Sequence, residues 1–459
     1  MQKKVVRRVA TLVALGVALG IVLSGCSWFG PRDAALDPMG ANPKVRLEVV
    51  VHGGLTDDVL AELESYGKIL DVIDPIGVLL EVRSSQVAGI SALSYVKASG
   101  GPAERFTTID DYSAGLSTWD LDIINVTDPA APEIRTVDYT GEGVLVAVLD
   151  TGLVFNWRDY FPEARIATEY AIAFAGGGNE NATVSEPSNK WEHDTHSHGT
   201  HVTSTVIGYA LGGTPVNGAA PLARVIPVKV LGNSGSGWST VIARGIAYIG
   251  DLAEELGEPI VINMSLGGPS LSALEQAAID RAIEQGVIVV ASAGNEGLAG
   301  MGYPGAYSPV ISVGAVGWSG FAWTPFADVG EPTAAGEVVL CDFSSVALAG
   351  QDLDVVAPGD WIVGPYMPFG AAHPPAMPPS PMANVPGEYY FVGGTSMAAP
   401  HVAGVVALLL EKHPNLTAEQ VEIMLEGTAL ALPGYSDDEV GAGLALADAA
   451  LLAPVPVVP

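Results

Sequence analysis

The stretch "GVLVAVLD" at residues 143–150 has no polar side chain before its final aspartate. A strand with one solvent-facing side alternates apolar and polar residues, so an uninterrupted apolar run predicts a strand buried on both faces. Similar runs are "RVIPVKVL" (224–231), "PIVINMSLG" (259–267), "VIVVASAGN" (287–295) and "VISVGAV" (310–316). Strands of this kind are typical of a parallel sheet covered by helices on each side.

Helical patterns separate these runs. The clearest are "STVIARGIAYIGDLAEEL" (239–256) and "SALEQAAIDRAIEQG" (272–286), and a third is predicted over "HGTHVTSTVIGYAL" (198–211). Alternating strands and helices predict a doubly wound, mostly parallel α/β sheet, which we assign to residues 115–452. The proline-rich stretch 364–388 is predicted to be a long surface loop, and the tail 453–459 is predicted to be disordered.

A small unit precedes this sheet at residues 43–105. Its pattern is strand, helix, strand, strand, helix, strand, with Thr56 as the cap of the first helix and Gly67 at its end. This order predicts a ferredoxin-like α+β module of the split βαβ type. The chain therefore has a small domain followed by a large one.

The composition limits the classes of partner. The chain has 459 residues, of which 49% are hydrophobic and 15% charged, so it can bury a large core. Its formal net charge is −31. Because nucleic-acid binding depends on neutralising phosphates with basic side chains, this charge argues against a nucleic-acid partner.

Residues 1–25 have the pattern of an export signal. Basic residues near the start precede the apolar run "VATLVALGVALGIVL", and "LSGC" at 23–26 follows it. This end resembles the lipobox of bacterial lipoproteins, in which the cysteine is lipidated. We therefore expect a lipoprotein signal peptide, lipidation of Cys26 and a tether at 26–42. A plain secretion signal and an uncleaved anchor helix are the alternatives.

Polar residues follow three of the predicted strands, at Asp150, Ser265 and Asn295. In a doubly wound sheet, ligands bind beyond the carboxyl ends of the strands, so these residues are candidates for a site. A buried carboxylate needs a positive or hydrogen-bonding partner, for which a histidine is suited.

Histidines are concentrated in "EHDTHSHGTHV", residues 192–202. Two interpretations fit this segment. In one, His198 acts alone as a catalytic base at the start of a helix. In the other, several side chains bind a metal ion with zinc-like spacing. The candidate ligands are His193, Asp194, His196, His198 and His201.

A serine stands at the start of an apolar helical pattern in "GGTSMAAPHVAG", residues 393–404. The unpaired amides of a first helical turn favour negative charge, which suits a nucleophile whose reaction produces an oxyanion. The same placement also suits an ordinary N-cap, so Ser396 alone does not decide between the two.

Three segments together are more specific. Those at 150–152 ("DTG"), 198–201 ("HGTH") and 394–401 ("GTSMAAPH") resemble the active-site motifs of the subtilisin-like serine proteases, peptidase family S8. They occur in that family's order, aspartate, histidine, serine, with "SAGNEG" between the last two. The resemblance extends over roughly residues 115–450.

The resemblance implies roles for these residues. Ser396 would attack the scissile carbonyl, His198 would transfer the proton, and Asp150 would orient the imidazole. The Asn295 side chain and the Ser396 amide would receive the oxyanion. No cofactor is expected for this catalysis. The segments 265–268 and 292–294, with Gly302 at the base, would bind the residue before the cut, with a broad preference for large apolar side chains. The pocket residues so implied are Ser265, Leu266, Gly267, Gly268, Ser292, Ala293, Gly294 and Gly302.

The family also implies a precursor and a metal site. Residues 43–105 resemble an inhibitor-type propeptide, which the enzyme would remove by a cut between residues 98 and 117. Asp159 matches the position of a family calcium ligand. However, the loop "YALGGTPVNG" at 209–218 lacks the expected asparagine near its start, so partner ligands for Asp159 are not identified.

The leading hypothesis is therefore an exported, lipid-anchored serine endopeptidase made as a self-inhibited precursor. It would act on proteins or peptides and contact the membrane through Cys26. It would stay at the membrane surface of the cell envelope or be released after processing. The alternatives are a metal-dependent hydrolase using the His193–His201 cluster and a catalytically silent surface-binding protein.

Overall fold

The computed structural model describes residues 42–100, 111–128, 134–176, 184–320, 335–366 and 389–458. The chain forms two compact units, residues 1–107 and residues 108–459. The signal peptide, Cys26, nearly all of the tether and much of the predicted processing segment lie outside the described residues.

The first unit has the predicted order of elements. Its elements are β1 (Lys44–Val51), α1 (Asp57–Tyr66), β2 (Gly67–Ile73), β3 (Gly77–Arg83), α2 (Val87–Ser91) and β4 (Val96–Gly100). The strands form an antiparallel sheet in the order β2-β3-β1-β4. This is the arrangement of a split βαβ module.

One face of this small sheet forms the core of the unit. Alternate residues of β1 and β3 are buried against α1 and α2, because successive side chains of a strand point to opposite faces. Thr56 caps α1 as predicted, accepting a hydrogen bond from the Val59 amide at 3.3 Å. The buried residues are Leu47, Val49, Val51, Leu63, Val78, Leu80, Val82 and Ile90.

The second unit contains the large sheet and its helices. Its first elements are α3 (Trp119–Ile123), β5 (Leu145–Asp150), β6 (Ile172–Ala173), β7 (Ala175–Gly176), β8 (Val184–Ser185), α4 (His198–Ile207), β9 (Tyr209–Leu211), β10 (Thr214–Val216) and β11 (Arg224–Lys229). Then follow α5 (Ser239–Leu256), β12 (Ile260–Met264), α6 (Ala273–Glu284), β13 (Ile288–Ser292), β14 (Ile311–Trp318), β15 (Val338–Leu340) and β16 (Val355–Pro358). The last are β17 (Ile362–Pro365), β18 (Tyr389–Val392), α7 (Thr395–Lys412), α8 (Ala418–Thr428), α9 (Asp437–Val440) and α10 (Ala447–Leu452).

The large sheet has the strand order β15-β14-β13-β12-β5-β11-β6, and β16 also pairs with β14. Among the described strands of this sheet, every pairing is parallel except that of β14 with β15. The prediction of a doubly wound, mostly parallel α/β sheet is confirmed.

Each face of the sheet has its own apolar core. In β5, Val146 and Val148 belong to the core that contains α4 and α7. Leu145, Ala147 and Leu149 belong to the core that contains α5 and α6. The strand is buried on both sides, which explains why its sequence is apolar without alternation.

The structure differs from the predictions at three places. Helix α4 ends at Ile207 rather than at 211, because Gly208 has a φ of 77° and the chain then forms the hairpin β9–β10. Gly364 and Pro365, expected in a loop, end β17, while 367–388 lie outside the described residues. The segment 453–458, expected to be disordered, is placed as coil, and Pro456 accepts a hydrogen bond from Gln420.

Within the described residues, no helix combines the length and the apolar character needed to cross a membrane.

A pair of glycines tests how closely α7 packs. A Cβ added at Gly404 would lie 2.4 Å from the Ala219 Cβ, whereas one at Gly427 in α8 would meet no described atom within 4 Å. We expect Gly404→Ala to lower the free energy of unfolding by about 1–3 kcal/mol through overpacking. Gly427→Ala is expected to raise it by up to about 1 kcal/mol through helix propensity. Urea denaturation measures both, and equal effects would contradict the packing.

Candidate active site

The site lies where β5 ends and α4 begins. Asp150 is the last residue of β5, and His198 is the first residue of α4. The turn before α4 is fixed by the buried Asp194, which accepts hydrogen bonds from the amides of His196 (2.8 Å) and Ser197 (2.7 Å). The histidine is therefore held at one end of the parallel sheet, where such folds bind ligands.

Asp150 and His198 are hydrogen-bonded. The His198 Nδ1 lies 2.9 Å from each of the two carboxylate oxygens of Asp150. Asp150 is fully buried and also accepts a hydrogen bond from the Thr151 amide at 2.6 Å. Because a carboxylate accepts, Nδ1 carries a proton, and this leaves Nε2 available as a base.

The charges around His198 affect its proton affinity. Burial lowers the pKa of His198, but the charge and hydrogen bond of Asp150 and the charge of Asp194 outweigh it, so its pKa is above the ordinary value. Burial raises the pKa of Asp194 and lowers the pKa of Lys229, whose Nζ lies 3.9 Å from Asp194. The two carboxylates therefore stabilise the imidazolium that His198 becomes when it takes up a proton at Nε2.

Ser396 lies in the first turn of α7, after the conformationally unusual Gly394, whose φ is 151°. Its hydroxyl donates to the Ser265 carbonyl at 3.2 Å, and the Ser265 hydroxyl donates to the Ser396 carbonyl at 2.7 Å. In a regular helix the residue at position 400 would donate to that carbonyl, but Pro400 has no N–H. Ser265 supplies the missing hydrogen bond.

The side chain of Asn295 is oriented by Thr395. The Asn295 Oδ1 accepts hydrogen bonds from the Thr395 amide (2.9 Å) and hydroxyl (3.0 Å). The carbonyl end of the Asn295 amide therefore faces α7, and its NH₂ group is directed away from Thr395, without a hydrogen-bond partner among the described residues. Asn295 and Ser396 line the same cleft.

This cleft has a volume of about 510 Å³. Six of the eight residues predicted to form the substrate pocket line it, within the part of the chain that the structure describes. They are Leu266, Gly267, Gly268, Ser292, Gly294 and Gly302.

Two predicted pocket residues do not line the described cleft. Ser265 is buried beneath Ser396, and Ala293 is buried in a small apolar cluster, where its carbonyl accepts from the Gly302 amide. In extended chain successive side chains face opposite sides, so Ala293, between the lining residues Ser292 and Gly294, points inward. A direct role of Ser265 and Ala293 in substrate binding stays a prediction.

Sequence reasoning missed other lining residues. Some directly follow predicted site residues, such as Glu296 after Asn295 and Tyr303 after Gly302, so their position in the sequence could have indicated them. Gln351 is distant in sequence and reaches the cleft through hydrogen bonds with the Met301 backbone. The missed residues are Pro269, Glu296, Ala299, Gly300, Met301, Tyr303, Gln351 and Thr395.

The side chains of the histidine-rich segment do not converge on a common point as metal ligands would. His193 is exposed and pairs with the Asn189 carbonyl, while His201 is fully buried and pairs with the Ile362 carbonyl. Burial and the neighbouring His198 lower the pKa of His201 to about 4. Within the described ranges, the one group of three possible ligand side chains whose ligand atoms lie within 4.8 Å of one another is Asp354, Glu422 and Glu426.

Partner ligands are not identified for Asp159, the calcium ligand that the resemblance implies, and a calcium site there stays a prediction. Its carboxylate is exposed and accepts a hydrogen bond from Asn156 at 3.1 Å. The loop expected to supply partner ligands forms the hairpin β9–β10.

Fold and site together define a subtilisin-like α/β protein. A family model described as the subtilase family matches residues 141–443, and the chain belongs to this family. It is 36% identical over 309 residues to Subtilisin E of Bacillus subtilis (strain 168), covering 66% of this chain and 64% of the relative. It is 34% identical over 323 residues to Subtilisin Savinase of Lederbergia lenta, covering 70% and 95%.

Solved structures show the same similarity. Sphericase has a TM-score of 0.54 at 27% identity, covering 72% of this chain and 97% of its own. S41 Psychrophilic Protease has a TM-score of 0.55 at 27% identity, covering 73% and 99%. The chain spans 64%, less than two thirds, of the length of Subtilisin E and of Subtilisin amylosacchariticus.

The charge of Asp194 gives a testable effect on His198. Because this charge raises the pKa of His198, Asp194→Asn is expected to move the titration of His198 to lower pH. NMR of the imidazole protons, assigned with His198→Gln, measures the shift. Asp251→Asn is the control, since Asp251 is exposed and paired with Arg281. A titration that stays in place or moves upward in Asp194→Asn would contradict the electrostatic assignment.

Proposed function

We propose that this protein is a serine endopeptidase that hydrolyses peptide bonds through an acyl-enzyme. The observation that carries the proposal is the buried Asp150–His198 pair at the same end of the sheet as the cleft that Ser396 and Asn295 line. Ser396 Oγ attacks the scissile carbonyl carbon while His198 takes its proton. His198 then gives the proton to the leaving amine, and Asp150 stabilises the imidazolium in between.

The resting hydrogen bond of Ser396 defines the first step. Its hydroxyl donates to the Ser265 carbonyl, so the reaction requires this hydroxyl to leave that carbonyl and turn toward His198 Nε2. Catalytic hydrogen bonds often tighten only when substrate is bound. A water molecule deprotonated by His198 later cleaves the ester and restores the serine.

Charge on the substrate oxygen is stabilised by donors already in place. The Ser396 amide belongs to the first turn of α7, where amides have no helical acceptor. The Asn295 NH₂ group is held by the two hydrogen bonds that its oxygen accepts from Thr395. Fixed donors stabilise a developing oxyanion without reorganisation, and this is the main catalytic contribution of such sites.

The central test combines two variants. Ser396→Ala is expected to abolish peptide hydrolysis and labelling by a fluorophosphonate, because both need the hydroxyl. Asn295→Leu is expected to lower kcat by roughly 100- to 1000-fold with little change in KM. The exposed Ser308→Ala is the control and should behave as wild type.

The same assays separate the alternatives. Hydrolysis that is lost with a chelator but insensitive to the fluorophosphonate would indicate a metal-dependent hydrolase. A folded protein that neither reacts with the reagent nor cleaves casein would indicate a surface-binding protein.

The cleft supports a broad preference for large apolar residues before the cut. Gly302 has no side chain, and a Cβ at this position would lie 3.4 Å from the Gly268 carbonyl oxygen on the facing wall. The glycine therefore leaves open a space that a larger residue would fill. We expect Gly302→Val to reduce cleavage after Phe and Tyr more than cleavage after Ala, as measured with a peptide library. A strict requirement of the wild type for Lys or Arg would contradict the preference.

We also propose that the protein is made as an exported precursor. The first unit has its own apolar core, as expected of a propeptide that folds as a module. It would inhibit the enzyme until a cut between residues 98 and 117, and lipid on Cys26 would anchor the precursor at the membrane surface. These statements rest on the sequence motifs and on the family.

N-terminal analysis tests the precursor directly. Full-length Ser396→Ala is expected to keep the first unit and to carry a lipidated Cys26, whereas wild type loses the first unit. Mass spectrometry of membrane and soluble fractions gives both results. Processing of Ser396→Ala at the same bond would show that another protease cuts it, and a free Cys26 thiol would exclude lipid anchoring.

A further inference from the structure

The first turn of α7 is held by a second histidine, His401. This residue is fully buried, and its Nδ1 lies 2.8 Å from the carbonyl oxygen of Met397, the residue after Ser396. Its Nε2 lies 2.9 Å from Oδ2 of Asp120, which belongs to α3. Asp120 is only 5% exposed. A buried hydrogen-bonded pair thus connects α3 with the turn that carries Ser396.

The hydrogen-bond partners of His401 indicate which of its ring nitrogens donate. A backbone carbonyl only accepts, so the Nδ1 of His401 donates to Met397. The second ring nitrogen and the Asp120 carboxylate share one further proton. Removing Asp120 would leave His401 without its partner in a buried site, which is costly.

The turn depends on such side-chain contacts. Pro400 removes one backbone hydrogen bond from this turn, and the Ser265 hydroxyl replaces it at the Ser396 carbonyl. His401 holds the next carbonyl along the chain. Side chains therefore contact the carbonyl groups of two successive residues of this turn, Ser396 through Ser265 and Met397 through His401.

A small cavity adjoins Asp120. Its volume is about 10 Å³, and Asp120, Thr205 and Tyr209 are among the residues that line it. Within the described residues, Asp120 Oδ1, Thr205 Oγ1 and Tyr209 OH are buried without a hydrogen-bond partner. Such a space is close to the minimum for one water molecule, and a buried water needs two to four polar partners of this kind.

We propose that Asp120 and His401, completed by one water molecule in this cavity, form a buried positioning unit for Ser396. The unit rests on the proposed peptidase function. Neither side chain takes part in bond making. Asp120 orients His401, His401 fixes the Met397 carbonyl, and the water satisfies the second oxygen of Asp120. Since a misplacement of about 1 Å costs roughly 100-fold in rate, the unit acts on kcat.

The test compares three variants and one control, each expressed as the full chain and assayed after processing, with active sites counted by fluorophosphonate titration. Asp120→Ala is expected to lower kcat by about 10- to 100-fold with KM within about 2-fold of wild type. Asp120→Asn is expected to retain most of the activity, because its amide can donate to a neutral His401 Nε2.

Asp122→Ala is the matched control. Asp122 is a buried carboxylate on the same helix, but it accepts hydrogen bonds from Ser117 and Thr127 rather than from α7. Its removal is expected to lower stability and leave kcat near wild type. His401→Phe, which fills the same space without hydrogen bonds, is expected to reproduce the kcat loss of Asp120→Ala.

The outcomes are distinct. If wild type neither cleaves peptides nor reacts with the reagent, the proposed function fails. If wild type is active, the positioning unit is overturned when Asp120→Ala keeps its kcat, when Asp122→Ala loses as much, or when Asp120→Asn is no better than Asp120→Ala. It is also overturned if Asp120→Ala and His401→Phe do not fold while Asp122→Ala does. A high-resolution crystal structure with an empty cavity would remove the water from the unit.

Discussion

The carboxylate of Asp150 is fully buried at the end of an interior strand of the sheet, so it needs hydrogen-bonding or positively charged groups next to it. The His198 imidazole and the Thr151 amide provide that compensation. Strand β5 is held between β11 and β12, so the position of the carboxylate is set by the sheet itself. The turn that Asp194 stabilises sets where α4 begins, and this brings His198 to the end of β5.

The second constraint is the irregular first turn of α7. A proline four residues after Ser396 removes a regular helical hydrogen bond, and the Ser265 hydroxyl replaces it. The His401 side chain, from α7 itself, contacts the next carbonyl, that of Met397. The Asn295 side chain also holds this turn, because its oxygen accepts a hydrogen bond from the Thr395 amide. The turn that carries the nucleophile is therefore positioned by the body of the domain, which links core packing to the geometry of the reaction.

The sequence predicted the elements that have a strong local pattern. Helix α5 has the predicted bounds of 239–256, and the strands of the parallel sheet were found from their apolar runs. His401, within the apolar helical pattern that follows Ser396, is buried. The end of α4 was predicted too late, because the φ of Gly208 depends on its surroundings in the folded chain. The burial of Ser265 beneath Ser396 likewise depends on a residue distant in sequence. The pairing of His401 with Asp120 joins residues 281 positions apart, and no local pattern indicates it.

The claim that separate segments form one reaction centre is tested most directly by a crystal structure of the protein after reaction with a phosphonylating reagent. The account predicts phosphorus bonded to Ser396 Oγ, a phosphonyl oxygen within hydrogen-bonding distance of Asn295 Nδ2 and the Ser396 amide, and His198 Nε2 facing the modified oxygen. A label on another residue, or a phosphonyl oxygen directed away from Asn295 with His198 turned elsewhere, would contradict it.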